Sequence, residues 1–125
     1  MTFTPSPYLR ITSDLGDRTA RLALDGDLDY ETAPNLGAAV TELLASRPDL
    51  RVLYLDCAQL DFCDTIGLAA LLEIRKTTGE AGMGLVLDNR TPFLERVLEI
   101  TGLLHHLTAA ANGRSQNGYG SPDTG

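Results

Sequence analysis

Six aspartates are the residues of this sequence best placed to do chemistry: Asp25, Asp27 and Asp29, then Asp56, Asp61 and Asp64. The first three occupy alternate positions at the end of one predicted strand, and the others surround the end of another. Carboxylates at strand ends could hold a divalent cation. Because loops commonly use aspartate to form turns and to cap helices, these roles are favoured over a metal site. No metal site is predicted.

A second candidate is Thr65 in the segment DFCDTIGL, which follows an apolar run and precedes a helical pattern. Asp64 is predicted to be the N-cap of that helix, which places Thr65 in its first turn. There the free backbone N–H groups and the helix dipole would favour a phosphate on the hydroxyl, with a charge of about −1.5 to −2. From the spacing alone, a purely structural capping role for Thr65 is favoured, and phosphorylation is the alternative.

The histidines and cysteines of the chain do not form a recognisable nucleophilic or redox site. His105 and His106 are adjacent, so in an extended chain their side chains point opposite ways, and neither has a partner motif. Cys57 and Cys63 lack a CxxC spacing and are predicted to be reduced, structural thiols. The sequence contains no glycine-rich phosphate-binding motif. We therefore predict no catalytic residue, no cofactor and no enzymatic activity.

Length and charge limit the classes of partner. The chain of 125 residues is long enough for one domain, and its formal net charge of −7 argues against nucleic acid and against an anionic membrane surface. No apolar run approaches the ~20 residues that span a bilayer, and no signal peptide is recognised, so a cytoplasmic location is expected. A protein partner, a small ligand, or both remain open.

Alternating elements surround the candidate residues. YLRITSD and DRTARLALDGDL show a period of two around a turn glycine, which predicts a hairpin. A helical stripe then runs from Ala33 to Leu44, with Thr32 as a possible cap, and the strand RVLYLDCA follows. The predicted order ends with the helix GLAALLEIRKTTGEAG, the strand MGLVLDN, the helix TPFLERVLEITGLL and a short strand LHHLT. Since strand–helix–strand units pair in parallel, the fold class is α/β: a mixed β-sheet with an N-terminal hairpin, packed against α-helices.

The two ends of the chain differ from its middle. Residues 1–7 carry two prolines and are predicted to be a loose lead-in, whereas residues 8–109 are predicted to form the domain. Residues 110–125 are rich in Gly, Ser and Asn, and are predicted to be a disordered tail because they cannot bury enough apolar surface.

Three segments resemble the STAS family of anti-sigma factor antagonists. LDFCDTIGLAALLEIRK is similar to the family's strand followed by a D-S-[small]-G-[apolar] segment that opens a helix. LALDGDLDYETAPNL resembles its G-[DE]-[LI]-D stretch and first helix, and NRTPFLERVLEITGLLHHL resembles its last helix. The resemblance covers roughly residues 8–109, in the family's order.

This resemblance implies a function and a set of site residues. Such proteins bind an anti-sigma factor of the serine/threonine kinase type and so release a sigma factor. The kinase phosphorylates the antagonist, which then no longer binds, and a phosphatase resets it. The phosphorylated hydroxyl corresponds to Thr65, and the implied partner-binding residues are Asp27, Asp29, Asp64, Thr65, Ile66 and Gly67.

Two residues depart from the family pattern. Thr65 stands where serine is usual, and Ile66 replaces a small residue. A member that binds its partner without switching therefore remains open, as does a STAS-fold small-ligand sensor or transporter-associated regulatory module without phosphoswitching. Gly67 sits where a side chain is avoided, for backbone or for contact reasons, and Gly67→Val is expected to impair binding more than stability.

Overall fold

The computed structural model describes residues 8–104 and Leu107. The predicted lead-in (residues 1–7), the predicted tail (110–125) and the two histidines lie outside the described residues. The elements follow the order β1 (Leu9–Leu15), β2 (Thr19–Leu28), α1 (Ala33–Ser46), β3 (Val52–Cys63), α2 (Thr65–Glu80), β4 (Gly84–Asp88) and α3 (Pro92–Thr101). The predicted fold class is confirmed.

The four strands form one mixed sheet in the order β1-β2-β3-β4. The hairpin β1–β2 is antiparallel, with Leu9 opposite Gly26. The pairs β2–β3 and β3–β4 are parallel, with Leu22 opposite Leu55 and Leu55 opposite Leu87. Because right-handed crossovers connect neighbouring parallel strands in sequence, α1 and α2 lie on the same face of the sheet.

The core forms between that sheet face and the helices. Inward-facing residues alternate along the strands, as a sheet covered on one face requires. The inward residues of the three parallel strands are all buried: Leu22, Leu24, Leu53, Leu55, Leu85 and Leu87. Helix α1 contributes Leu36 and Val40, and helix α2 contributes Leu71 and Ile74. α1 packs against α2, and α2 lies over β3 and β4.

Local signals begin and end α3, and end α2, where the sequence predicts. The Thr91 side chain accepts a hydrogen bond from the backbone N–H of Leu94, Pro92 begins α3, and Gly102 follows with a φ of 78°. Helix α2 ends at Glu80, and Gly82 adopts a φ of 75° just after it.

Three features differ from the sequence predictions. Strand β3 continues through Cys63, because β2 and β3 stay paired beyond two register shifts that break the alternating pattern. The predicted final strand LHHLT is wrong, since Leu104 and Leu107 are helical and Leu107 N–H donates to the carbonyl of Leu103. Thr32 occupies the N-cap position of α1, but its side chain makes no capping hydrogen bond.

Candidate functional site

The candidate site lies at the carboxyl edge of the parallel strands. β2 and β3 end side by side, with Leu28 opposite Cys63. Each strand is followed at once by a loop or cap that leads into a helix, so the residues before α1 and those that open α2 meet at one edge. The backbone N–H of Asp64 donates to the carbonyl of Leu28 at 3.2 Å, which joins the two connections.

Asp64 holds this edge together with its carboxylate. One oxygen, Oδ1, accepts the backbone N–H of Gly67 at 2.8 Å, which confirms the predicted N-cap of α2. The other oxygen, Oδ2, accepts the backbone N–H of Tyr30 at 3.2 Å. Asp64 therefore fixes the first turn of α2 against the loop that precedes α1. Its carboxylate acts as a structural acceptor at the site.

Gly67 has a reason to be glycine that lies inside the fold. The residue is buried, and a Cβ built on it would lie 2.3 Å from the carbonyl oxygen of Leu28 and 3.0 Å from Sγ of Cys63. A backbone carbonyl cannot move aside as a flexible side chain can. The expectation that Gly67→Val impairs binding more than stability does not fit this geometry, which predicts a loss of stability first.

Thr65 and Ile66 form the exposed part of the α2 N-terminus. Both side chains are exposed, and 50% of Ile66 remains accessible. In this first turn, the amides of Gly67 and Leu68 donate to the carboxylate and the carbonyl of Asp64. Within the described residues, the amides of Thr65 and Ile66 have no such acceptor, and they carry the positive end of the helix dipole. An anionic group on Thr65 would therefore meet a favourable backbone environment.

Asp29 shapes the loop between β2 and α1. Its Oδ1 accepts the backbone N–H groups of Glu31 and Thr32 at 3.0 and 3.1 Å, which is an Asx turn. The buried Thr32 hydroxyl lies 2.8 Å from the carbonyl of Asp27, to which it donates, and accepts the N–H of Asp29 at 2.9 Å. These bonds hold the loop in one conformation and explain why Thr32 does not cap α1.

Asp27, Asp29 and Asp61 form an acidic group where β2 and β3 end, since Asp27 lies opposite Phe62 and the charges of Asp29 and Asp61 act on its carboxyl. Burial raises the pKa of the Asp27 carboxyl, and the charges of Asp29 and Asp61 raise it further. Both effects disfavour a negative charge at this position. Adding another anion at this edge would therefore act against carboxylates that already repel one another.

Asp25 and Asp56, by contrast, belong to ion pairs on the open face of the sheet. Asp25 lies 3.8 Å from Arg10, and the Arg21 guanidinium lies 2.9 Å from Asp88 and 3.8 Å from Asp56. The side-chain amide of Asn89 donates to Asp56 and lowers the pKa of that carboxyl. In residues 8–104 and Leu107, no three His, Cys, Asp or Glu side chains group in a way that could hold a metal ion.

Exposed aromatic residues complete the same edge, and sequence reasoning did not single them out. Tyr30 is 66% exposed, and the rings of Phe62 and Phe93 stack at 6.3 Å while each stays more than 40% exposed. The only sequence signal is their position next to turn and cap residues, where large apolar side chains are uncommon. Tyr30 lines one cavity with Ile66, while Phe62 packs on Phe93, and exposed apolar side chains of this kind mark interaction sites.

The two cysteines are free and buried. Burial raises the pKa of both the Cys57 and Cys63 thiols to about 12. A thiol that stays protonated at neutral pH is a poor nucleophile, so the positions of both cysteines fit a packing role. Among the helices that the structure describes, none has the length and apolar composition needed to cross a membrane.

Known structures share this fold at low sequence identity. The unphosphorylated form of the anti-sigma factor antagonist SpoIIAA has a TM-score of 0.65 and 18% identity, covering 75% of this chain and 82% of its own. An anti-sigma factor antagonist from Mycobacterium paratuberculosis has a TM-score of 0.65 and 24% identity, covering 85% and 87%. A sulfate transporter family protein from Wolinella succinogenes has a TM-score of 0.64 and 16% identity, covering 78% of each chain.

SpoIIAA is also known in a phosphorylated form, which has a TM-score of 0.61 and 18% identity and covers 75% of this chain and 85% of its own. At these identities, the structural matches show the fold alone. The sequence adds the family: the profile described as "Mlab, STAS domain" matches residues 11–109, which is most of the chain. The protein therefore belongs to the STAS domain family.

Proposed function

We propose that this protein is an anti-sigma factor antagonist that binds an anti-sigma factor of the serine/threonine kinase type and so releases a sigma factor. Phosphorylation at Thr65 switches the antagonist off, and a phosphatase resets it. The observation that carries the proposal is the exposed Thr65 hydroxyl at the first position of α2, on the apolar edge that includes Ile66.

Electrostatics support a switch at this position. A phosphate adds a charge of about −1.5 to −2. On the free protein, the first-turn amides of α2 tolerate it. In a complex, the same dianion would be desolvated next to Asp64 and near the acidic group of Asp27, Asp29 and Asp61, where the pKa of Asp27 is already raised. Burying an unpaired charge of this kind costs several kcal/mol, on the order of 2–5, so the modified protein loses its partner.

The implied partner-binding residues divide into two roles. Thr65 and Ile66 are exposed and contact the partner, and Asp27 and Asp29 supply negative charge at the rim of the same edge. Asp64 and Gly67 act through position: the carboxylate caps α2 and holds Tyr30, and the glycine allows α2 to approach Leu28. In this proposal the protein acts in the cytoplasm, by binding alone, and the catalysis belongs to the partner kinase.

The likeness to the Wolinella succinogenes protein favours a second candidate, a transporter-associated regulatory module without phosphoswitching. In that case Thr65 serves only as the first residue of α2, and Ile66 gives a binding surface that does not respond to charge. The two candidates differ in one measurable property: whether a negative charge at Thr65 releases the partner.

A pull-down from native cell extract tests the proposal. The baits are Thr65→Ala, Thr65→Glu and, as a control, Thr12→Glu, which adds the same charge on an exposed position of β1. We expect a small ATP-binding, kinase-like protein on the Thr65→Ala and Thr12→Glu baits and its loss from the Thr65→Glu bait. Equal capture by all three baits would contradict the switch and favour the transporter-associated module.

A further inference from the structure

A groove of about 510 Å³ runs between α1 and α2, beginning at the proposed switch. One wall is the α1 stripe from Ala33 to Thr41, which Tyr30 precedes in the loop before the helix, and the other is the α2 stripe from Ile66 to Thr77. The α2 stripe advances 11 residues, or about 16 Å at the helical rise, and the α1 stripe advances 8 residues, or about 12 Å. Since Tyr30 and Ile66 also belong to the exposed edge around Thr65, the groove continues that edge along the helices for about two to three turns.

Gly37 in the wall of this groove has no explanation inside the fold. Glycine in a helix interior costs roughly 0.5–1 kcal/mol relative to alanine. For Gly67 the cost has a cause, because a Cβ would strike the Leu28 carbonyl, but a Cβ on Gly37 would meet nothing within 4 Å. The absent side chain therefore leaves space only outside the protein. Such a position fits close approach by a second molecule.

The shape and charge of the groove indicate what that molecule is. The lining is mostly apolar and small, and includes Ala69 and Ala70. Glu73 is its one ionisable carboxylate among the described lining residues, on a chain whose net charge is −7. Helix-in-groove recognition places apolar residues of one helix face, at i, i+3, i+4 and i+7, into a cleft of this kind. A basic side chain on that helix would complement Glu73.

We propose that the groove between α1 and α2 docks an amphipathic helix of the protein partner, with a small or apolar face against Gly37 and a Lys or Arg beside Glu73. This inference rests on the proposed function, since it describes the same partner bound at Thr65. The groove is a second contact surface, farther from the phosphate. In this proposal the groove contributes binding affinity, and phosphorylation of Thr65 controls whether the partner binds.

Filling the groove tests the proposal directly. Gly37→Leu places a side chain in the groove at a position where its Cβ has open space, and the loss of a helical glycine favours the fold. Ala38→Leu adds the same side chain at the next, exposed position, which does not line the groove. Thermal unfolding should show that Gly37→Leu is at least as stable as the parent and that Ala38→Leu is nearly as stable.

The binding assay measures the Kd for the kinase-like protein captured by the Thr65→Ala bait, with each leucine variant made in that background. We expect Gly37→Leu to weaken binding about tenfold or more, because its side chain occupies space that the docked helix needs, and Ala38→Leu to leave binding unchanged. Glu73→Lys should weaken binding about tenfold, and Glu42→Lys, an exposed charge reversal on α1 outside the groove, should not.

The outcomes separate this proposal from the proposed function. If Thr65→Glu releases the partner but both leucine variants bind equally, the groove proposal is overturned and the switch stands. If Gly37→Leu alone loses a partner that ignores the charge at Thr65, the switch is overturned and the groove stands. Capture of nothing by any bait contradicts both. A parent protein that sediments as a dimer, and as a monomer after Gly37→Leu, would assign the groove to a second copy of the chain and overturn the helix of a partner.

Discussion

The close contact between Gly67 and the Leu28 carbonyl predicts the effect of the smallest substitution, Gly67→Ala. The new Cβ would lie 2.3 Å from the carbonyl oxygen, whereas ordinary contact begins at 3.4 Å, so α2 must move by about 1 Å. That movement also stretches the bond from Asp64 N–H to the same carbonyl. Overpacking of this kind costs about 3 kcal/mol and the lost hydrogen bond about 1 kcal/mol. The better helix propensity of alanine offsets about 1 kcal/mol.

We therefore expect Gly67→Ala to lower the free energy of unfolding by about 3 kcal/mol, which corresponds to a fall in Tm of more than about 10 °C. The assay is urea unfolding followed by far-UV circular dichroism. Gly37→Ala is the matched control, because its Cβ meets nothing within 4 Å, and it should raise the free energy of unfolding by about 0.5–1 kcal/mol. A Gly67→Ala protein as stable as the parent would refute the geometry of the α2 N-terminus.

Three further perturbations address the same edge. Asp64→Ala removes the cap of α2 and the bond to Tyr30 N–H, and should lower the free energy of unfolding by about 2 kcal/mol in urea unfolding; no change would contradict the cap. Because the folded pKa of Asp27 is raised, ionising this carboxyl opposes folding above that pKa. Asp27→Asn should therefore be more stable than the parent at pH 7, and the difference should vanish as the pH falls below 3.8, where the carboxyl is protonated in both folded and unfolded states; a pH-independent difference in Tm would contradict this. A double-mutant cycle of Phe62→Ala and Phe93→Ala should give a coupling of about 0.5–1 kcal/mol, whereas additivity would show that the stacked rings do not interact.

Local chemistry explains which elements could be predicted from the sequence. The N-terminus of α3 depends on Thr91 and Pro92, and the N-terminus of α2 depends on Asp64. Each capping side chain accepts a backbone N–H three residues later in the sequence, so both caps are local signals. The second half of β3 could not be predicted in the same way. Its exposed and buried residues lose their alternation where β2 and β3 shift register, and those shifts depend on pairing between distant segments.

The apolar segment after Gly102 shows a limit of pattern reading. LHHLT is too short for its periodicity to separate strand from helix, and Leu104 and Leu107 are helical in the structure. Tertiary packing, rather than local preference, decides such a segment.

The site itself depends on contacts that no short pattern contains. Thr65 and Asp64 could be singled out because they lie at a strand–helix junction. The bond between Tyr30 and Asp64 spans 34 residues, and the approach of Gly67 to Leu28 depends on how α2 seats beside β2. For this reason the sequence could suggest that position 67 requires glycine. It could not show whether the requirement comes from packing against the backbone or from contact with a partner. The exposed surface that Tyr30 shares with Ile66 could not be predicted for the same reason, because it depends on contact between distant segments.

Phosphorylation of Thr65 is proposed to control partner binding. The most direct measurement incubates the unmodified protein with the captured kinase-like partner and Mg-ATP, locates the phosphate by mass spectrometry and compares the Kd before and after. Thr65→Val, which lacks the hydroxyl, is the control. The proposed function predicts one phosphate, on Thr65, and a weaker Kd after phosphorylation. The Thr65→Val protein should keep the same Kd before and after incubation. A phosphate on another residue, or phosphorylated Thr65 that still binds with the original Kd, would contradict it.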